Sequence, residues 1–256
     1  MHDTAVRGLH HVEHVMGTVF SFDIRDQTTP ALHRALDDAV RHLHHVDAVF
    51  STYRTDSRIS RLDRGEIPLR DCPEEVHEVL SLCARVSHDS DGSFSIAIGG
   101  RLDPSGLVKG WAVQRAAQIL HDAGARNLCV NGGGDLQLHG RAAPGRPWHV
   151  GITDPRRPRE LLCVIKAPSD LAIATSGTAE RGAHILDPHT GGPAASLASL
   201  TLVGPHLTLT DAYATAAFAR GDDAREWIER LDGYEAVAVL PDGRTWRTTG
   251  FRRHEA

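Results

Sequence analysis

The sequence predicts an α+β fold: mixed and antiparallel sheets packed with helices in one compact unit over 1–256, with room for two lobes. Three observations predict it. Helical and strand periodicities are both clear, but they do not alternate in the strict βαβ order of a doubly wound sheet. The stretch from Arg126 to Val203 breaks into short apolar runs separated by glycine, proline and aspartate, the texture of strands joined by turns. No internal repeat, linker or low-complexity tract divides the chain.

The elements follow in order. Met16, Thr18, Phe20, Phe22 and Ile24 alternate with small or polar residues, which predicts a half-buried strand. Thr29-Pro30 has the form of an N-cap and first-turn proline. Leu32, Ala35, Leu36, Ala39, Val40, Leu43, Val46 and Val49 then recur at helical spacing. A second helix is expected from Pro73 to about Ser87, with Val76, Val79, Leu80, Cys83 and Val86 on one face. A third opens near Leu107 and closes at Gly124, a C-capping glycine. Strands are expected at Leu128–Val130, Leu136–Leu138, Trp148–Ile152, Leu161–Ala167 and Leu171–Ala174. Helices over Thr210–Arg220 and Asp223–Leu231 and a strand at Ala236–Leu240 complete the chain.

Composition removes several function classes. A net charge of -5 provides no basic field for nucleic acid or an anionic membrane. Cys72, Cys83, Cys129 and Cys163 are scattered without a C-x-x-C pair, so a reducing compartment is expected rather than a disulfide scaffold. The opening residues show no basic segment followed by an apolar one, and no run is long enough to span a bilayer. A cytoplasmic protein is the expectation. Histidine occurs 17 times, with clusters at His10/His11/His14 and His42/His44/His45, but neither cluster has a carboxylate or cysteine at zinc-ligand spacing.

Four segments carry chemistry. Leu102 to Trp111 is a loop of small residues entering a helix, where free amides and the helix dipole suit a phosphate. It holds Asp103, Gly106 and Lys109, and Lys109 is one of only two lysines in the chain. The P-loop spacing is missing. Asn131-Gly132-Gly133-Gly134-Asp135 allows positive φ and close approach of a ligand, and would equally make a tight hairpin. Ala174-Thr175-Ser176-Gly177 places hydroxyls at a loop mouth, followed by Arg181, suited to a phosphate, and His184, suited to proton transfer. On the helix expected over Thr210–Arg220, Asp211 and Thr215 stand at i and i+4 and share a face. One carboxylate and one hydroxyl are too few to cage a metal alone, but suffice for Mg²⁺ that also takes water and substrate phosphates.

In their order and combination these segments resemble the FAD:protein FMN transferase family over most of the chain. Met16-Gly17-Thr18 is similar to the family's opening strand. Phe50 to Tyr53, with Asp56, Ser57, Ile59, Ser60 and Leu62, is similar to its FAD-contacting segment. Asp91-Gly92-Ser93-Phe94 resembles its Gly-x-Phe-Asp motif, and Asp103 to Gly110 its Asp-x-x-Gly-x-x-Lys-Gly element. Asn131 to Asp135, Ala174 to Gly177, His184 to Pro188 and Asp211 to Thr215 follow in the family's sequence. The resemblance implies an α+β flavin transferase that moves FMN from FAD onto a Ser or Thr hydroxyl of an acceptor protein, releasing AMP, with Mg²⁺.

It also implies site residues. Met16, Tyr53, Ser93, Phe94, Ser95, Asp103, Lys109, Ser176, Arg181 and Ile185 would hold FAD. Gly106 through its carbonyl, with Asp211 and Thr215, would ligate magnesium, and His184 and Asp211 would serve catalysis. Two departures stand out. Ser95 occupies the position of the family's motif aspartate, and the segments Phe94–Asp103 and Gly177–His184 are short. Two alternatives use the same residues: a Mg²⁺-dependent hydrolase giving FMN and AMP, and a non-catalytic FAD-binding protein. No nucleic acid or membrane insertion is expected.

Overall fold

The computed structural model describes residues 8–178 and 185–256. The chain begins with a hairpin of β1 (Leu9–Val15) and β2 (Thr18–Ile24). Its two-residue turn is Met16-Gly17, with φ of 54° and 68°. Two successive positive φ values make the tight turn whose twist matches the flanking strands. Met16 is therefore a turn residue and not the start of the expected strand. The histidine-rich segment before it is a strand that periodicity did not single out, because both its faces carry polar side chains.

Helix α1 (Pro30–Phe50) begins as expected: Thr29 Oγ1 accepts from the Leu32 amide at 3.2 Å and Pro30 fills the first turn. Leu32, Ala35, Ala39, Leu43, Val46 and Val49 form its buried stripe. A short α2 (Arg58–Asp63), unannounced by any apolar period, is capped by Ser57 Oγ. Helix α3 (Glu74–Asp89) is followed by a small ladder of β3 (Ala97–Ile98) and β4 (Arg101–Leu102). Helix α4 (Ser105–Asp122) ends at Gly124, whose φ of 105° confirms the expected glycine stop.

Next come β5 (Leu128–Gly132), β6 (Asp135–His139), β7 (Trp148–Asp154), β8 (Arg157–Ala167), β9 (Leu171–Gly177) and β10 (Ser199–Gly204). Helix α5 (Leu207–Arg220), α6 (Ala224–Ile228), β11 (Glu235–Val239) and β12 (Thr245–Arg247) finish the fold. Helix α5 starts a turn earlier than expected. Helix α6 is shorter than its apolar spacing suggested.

Eight strands form one sheet in the order β1-β2-β5-β6-β9-β10-β11-β12, antiparallel at every pairing. Helices α4 and α5 lie on one face, and α1 packs on α4. On the other face the separate β7–β8 hairpin covers a second core of Leu138, Trp148, Ile152, Ile165, Ile173 and Phe251. Strand β10 is consequently buried at every residue: Leu200 and Leu202 enter the helix-side core, and Val203 the hairpin-side core. That double burial is why it reads as a continuous apolar run although it is antiparallel. Among the described residues no helix is long and apolar enough to cross a membrane.

Candidate active site

The N-terminal half of α4 and the start of α5 meet at glycines. A Cβ on Gly110 would stand 2.7 Å from both Asp211 Cβ and the Leu207 carbonyl oxygen, so only glycine permits this approach. One turn earlier, a Cβ on Gly106 would lie 3.5 Å from Thr215 Cγ2 and 3.2 Å from the Phe94 ring. One turn later, Gln114 Oε1 accepts from the Thr208 amide at 3.0 Å and its hydroxyl at 2.7 Å. The contact therefore pairs 106 with 215, 110 with 211 and 114 with 208, which runs the two helices in opposite directions.

This crossing fixes Asp211. It is buried, and its Oδ2 accepts from the Gly110 amide at 2.9 Å; in a regular helix that amide closes on the Gly106 carbonyl. Its Oδ1 lies 3.7 Å from Lys109 Nζ. Burial pushes the Asp211 carboxyl well above the usual carboxylate range; the Lys109 charge opposes this and the neighbouring Asp135 charge adds to it. Thr215, half-buried, makes no side-chain hydrogen bond with the described residues.

Asp135 completes the centre. It follows the Gly133-Gly134 turn, whose φ values of 59° and 95° build a second two-residue hairpin. Gly132 has no room for a side chain, because a Cβ would meet Val113 at 2.6 Å and Phe20 at 2.8 Å. The glycine run is thus a hairpin, and its product is the placement of Asp135 beyond the last backbone pair of β6 with β9. Asp135 Oδ1 accepts from the Thr175 amide at 2.8 Å, and its Oδ2 takes the Lys109 ammonium.

These groups open into a cleft of about 1380 Å³ between the helix-bearing sheet and the β7–β8 hairpin. Met16 lines it from the first turn, and Ser93, Phe94 and Ser95 from the loop after α3. Asp103, Gly106 and Lys109 line it from α4 and its approach, Ser176 from β9, and Ile185 from the segment after it. Asp211 and Thr215 close the floor. Tyr53 stands at the rim, 97% exposed. The expected contacts thus share one cavity, apart from His184 and Arg181, which lie outside the described residues. Asp103 also turns α4 on, its Oδ1 accepting from the Ser105 amide at 2.9 Å. Ser95 Oγ accepts from the Ala97 amide at 3.1 Å, so the serine in the place of an aspartate closes a turn.

Two features were not legible in advance. In the sequence Asp135 is only the end of a glycine motif, an acid directly after a turn. The far wall, with Val150, Ile152, Thr153 and Asp154 of β7, comes from a strand with no motif at all. Supporting the loop at 90–94, Arg220 Nη1 donates to the Ser90 carbonyl at 2.7 Å and lies 3.2 Å from Asp91 Oδ2.

The chemistry of the floor suits a hard divalent cation. Its donors are all oxygen: Asp211 Oδ1, the Thr215 hydroxyl and the Gly106 carbonyl. Asp211 would have Oδ1 for such an ion, because Oδ2 is held by the Gly110 amide. Three protein oxygens leave positions for water and substrate phosphates. No group of three or more His, Cys, Asp or Glu side chains that could hold a metal occurs among the described residues. A zinc-type cage is therefore not offered there.

Comparison with known proteins adds independent findings. The sequence model of the ApbE family matches residues 16–101 and 99–238. The FAD:protein FMN transferase of Salmonella typhimurium is 26% identical over 163 residues, 59% of this chain and 47% of that protein. The protein of that name from Vibrio cholerae is 33% identical over 131 residues, 48% of this chain and 39% of its own length. The chain thus spans less than half the length of these curated relatives. Among solved structures, the flavin transferase ApbE of Vibrio cholerae superposes with a TM-score of 0.85 at 22% identity, covering 97% of this chain and 99% of that one. The ApbE protein of Thermotoga maritima gives a TM-score of 0.85 at 22% identity, covering 98% and 100%. At that identity the likeness establishes the fold.

Proposed function

The chain belongs to the ApbE family, and from that premise we propose that it transfers the FMN half of FAD to a Ser or Thr hydroxyl of an acceptor protein, releasing AMP, with magnesium bound at Asp211, Thr215 and Gly106. The single observation that carries this reading is the α4–α5 crossing. It gathers a buried carboxylate, a hydroxyl, a carbonyl and a lysine at the floor of one cleft. The name borne by the curated relatives supports FAD and a protein as the two substrates. At about 1380 Å³ the cleft exceeds the roughly 300–1,000 Å³ usual for small-ligand sites, which leaves space for both at once. The free thiols of Cys72, Cys83, Cys129 and Cys163 suit a reducing compartment and support a cytoplasmic setting.

In the reaction an acceptor hydroxyl gives its proton to a base, for which His184 is the assignment. Its oxygen bonds the FMN phosphorus, and the bridging P–O bond breaks to release AMP. Bound magnesium supplies charge neutralisation at the diphosphate and the departing AMP. Lys109 stabilises phosphate charge from the floor. The amides at the start of α4 are largely taken, that of Ser105 by Asp103 Oδ1 and those of Leu107 and Val108 by the Pro104 carbonyl, so the phosphate charge falls to the lysine. The Phe94 ring packs against Gly106, whose carbonyl would ligate the ion. Positioning and charge stabilisation do most of the work in such a transfer, so the metal carboxylate matters more than any single phosphate contact.

The test is AMP release from FAD with added Mg²⁺, run beside in-gel flavin fluorescence after denaturation of co-expressed acceptor proteins. Wild type should release AMP and label the acceptor. Asp211→Ala should do neither, and full activity in that variant refutes the metal assignment.

A further inference from the structure

The floor of the cleft holds more charge than the metal ligands account for. Asp135 is 1% exposed, and both its oxygens are engaged, one by the Thr175 amide and one by Lys109. The turn before it and β9 beside it fix its position. Lys109 is different: a flexible four-carbon stem carries its ammonium between two buried acids, touching Asp135 and lying 3.7 Å from Asp211 Oδ1. Asp211 has only Oδ1 left for the ion, since Oδ2 is committed to Gly110. An ammonium closing on Oδ1 would take the position the divalent ion needs.

We propose that Asp135 is a positioning residue that holds the Lys109 ammonium off Asp211, keeping Asp211 Oδ1 open to the cation. The inference rests on the metal reading above. Asp135 touches neither the cation nor the acceptor; it acts through Lys109. The cation gains an unblocked ligand, and the lysine stays where a diphosphate would meet it.

The experiment is Mn²⁺ titration of the FAD-free, full-length chain followed by electron paramagnetic resonance, with the metal alone as probe. Asp135→Asn keeps an oxygen for the Thr175 amide and removes the carboxylate charge paired with the ammonium. Its Mn²⁺ affinity should fall at least roughly tenfold, because a unit charge at close range in a buried site is worth that much. A crystal structure of metal-free Asp135→Asn should show Lys109 Nζ within hydrogen-bond distance of Asp211 Oδ1. Adding Lys109→Met in that background should restore the affinity. Should Asp135→Asn melt too low to titrate, Lys109→Met alone should bind Mn²⁺ at least as tightly as wild type, and weaker binding overturns the proposal. Unchanged affinity in Asp135→Asn, or an ammonium still clear of Asp211, overturns it too. A wild type that binds no Mn²⁺ would sink the metal assignment itself, and this inference with it.

Discussion

Asp211 and Thr215 illustrate what single residues disclose. Their i, i+4 spacing on a helix was legible from sequence, because helical geometry alone puts them on one face. The partner of that face was not, since it depends on Gly110 having no side chain. His42 offers a prediction of a different kind. Its Nε2 is buried beside Trp111 without a hydrogen-bond partner among the described residues, and burial, with the His45 and Arg115 charges, depresses its pKa to about 4. A histidine depressed in the folded state binds protons more readily when unfolded, so stability should be full above about pH 6.5 and decline as pH falls toward 4. Allowing for partial solvent access, the loss at pH 5 should be about 1 kcal/mol. Urea unfolding of wild type and His42→Phe at pH 7 and pH 5 measures it. A pH dependence of the same size in the variant would exclude His42 as its source.

Pairs of elements set the site. The α4–α5 contact is as close as it is because of Gly110, so Gly110→Ala should force the helices apart. The atoms it would strike belong to the Leu207 backbone and to Asp211 Cβ, which have little freedom to yield. Overpacking of this kind costs typically 1–3 kcal/mol. The expected result is that loss in urea unfolding together with weaker Mn²⁺ binding; a variant normal in both would mean that the helices tolerate separation. The loop bearing Ser93 and Phe94 is tied to the far end of α5 by Arg220, which also stacks over Trp227 with its guanidinium 5.5 Å from the ring centre. Arg220→Leu should weaken FAD affinity several-fold while metal affinity in the absence of FAD stays unchanged, because the loop and not the floor is released. Isothermal titration with each ligand separates the two. From sequence, α1 and the end of α4 were readable to within a residue or two, since Thr29, Pro30 and Gly124 impose local backbone geometry. Strand β1 and helix α2 were not, because tertiary packing forms them without an apolar period of their own.

Across the whole molecule, the cleft is the gap between the two cores. The large sheet and its helices make one wall, and the β7–β8 hairpin makes the other. A ligand spanning both walls should tie them together and raise the melting temperature. At 100 times its dissociation constant such a ligand stabilises by about 2.7 kcal/mol, equivalent to roughly 5–10 °C for a chain of this size. FAD with Mg²⁺ should produce that shift in a thermal melt, and chelating the metal should remove most of it. An upshift indifferent to chelation would show that FAD binding does not need the ion.

The sequence by itself determined the α+β class, the helix caps and the order of the segments that line the cleft, since each rests on local backbone chemistry or on a motif. Only the tertiary structure decided that the glycine run is a hairpin delivering Asp135, that β10 is buried on both faces, and that Lys109 lies between two acids. Those outcomes depend on residues 26 to 101 positions apart meeting through close packing, and no periodicity along the chain encodes such a meeting.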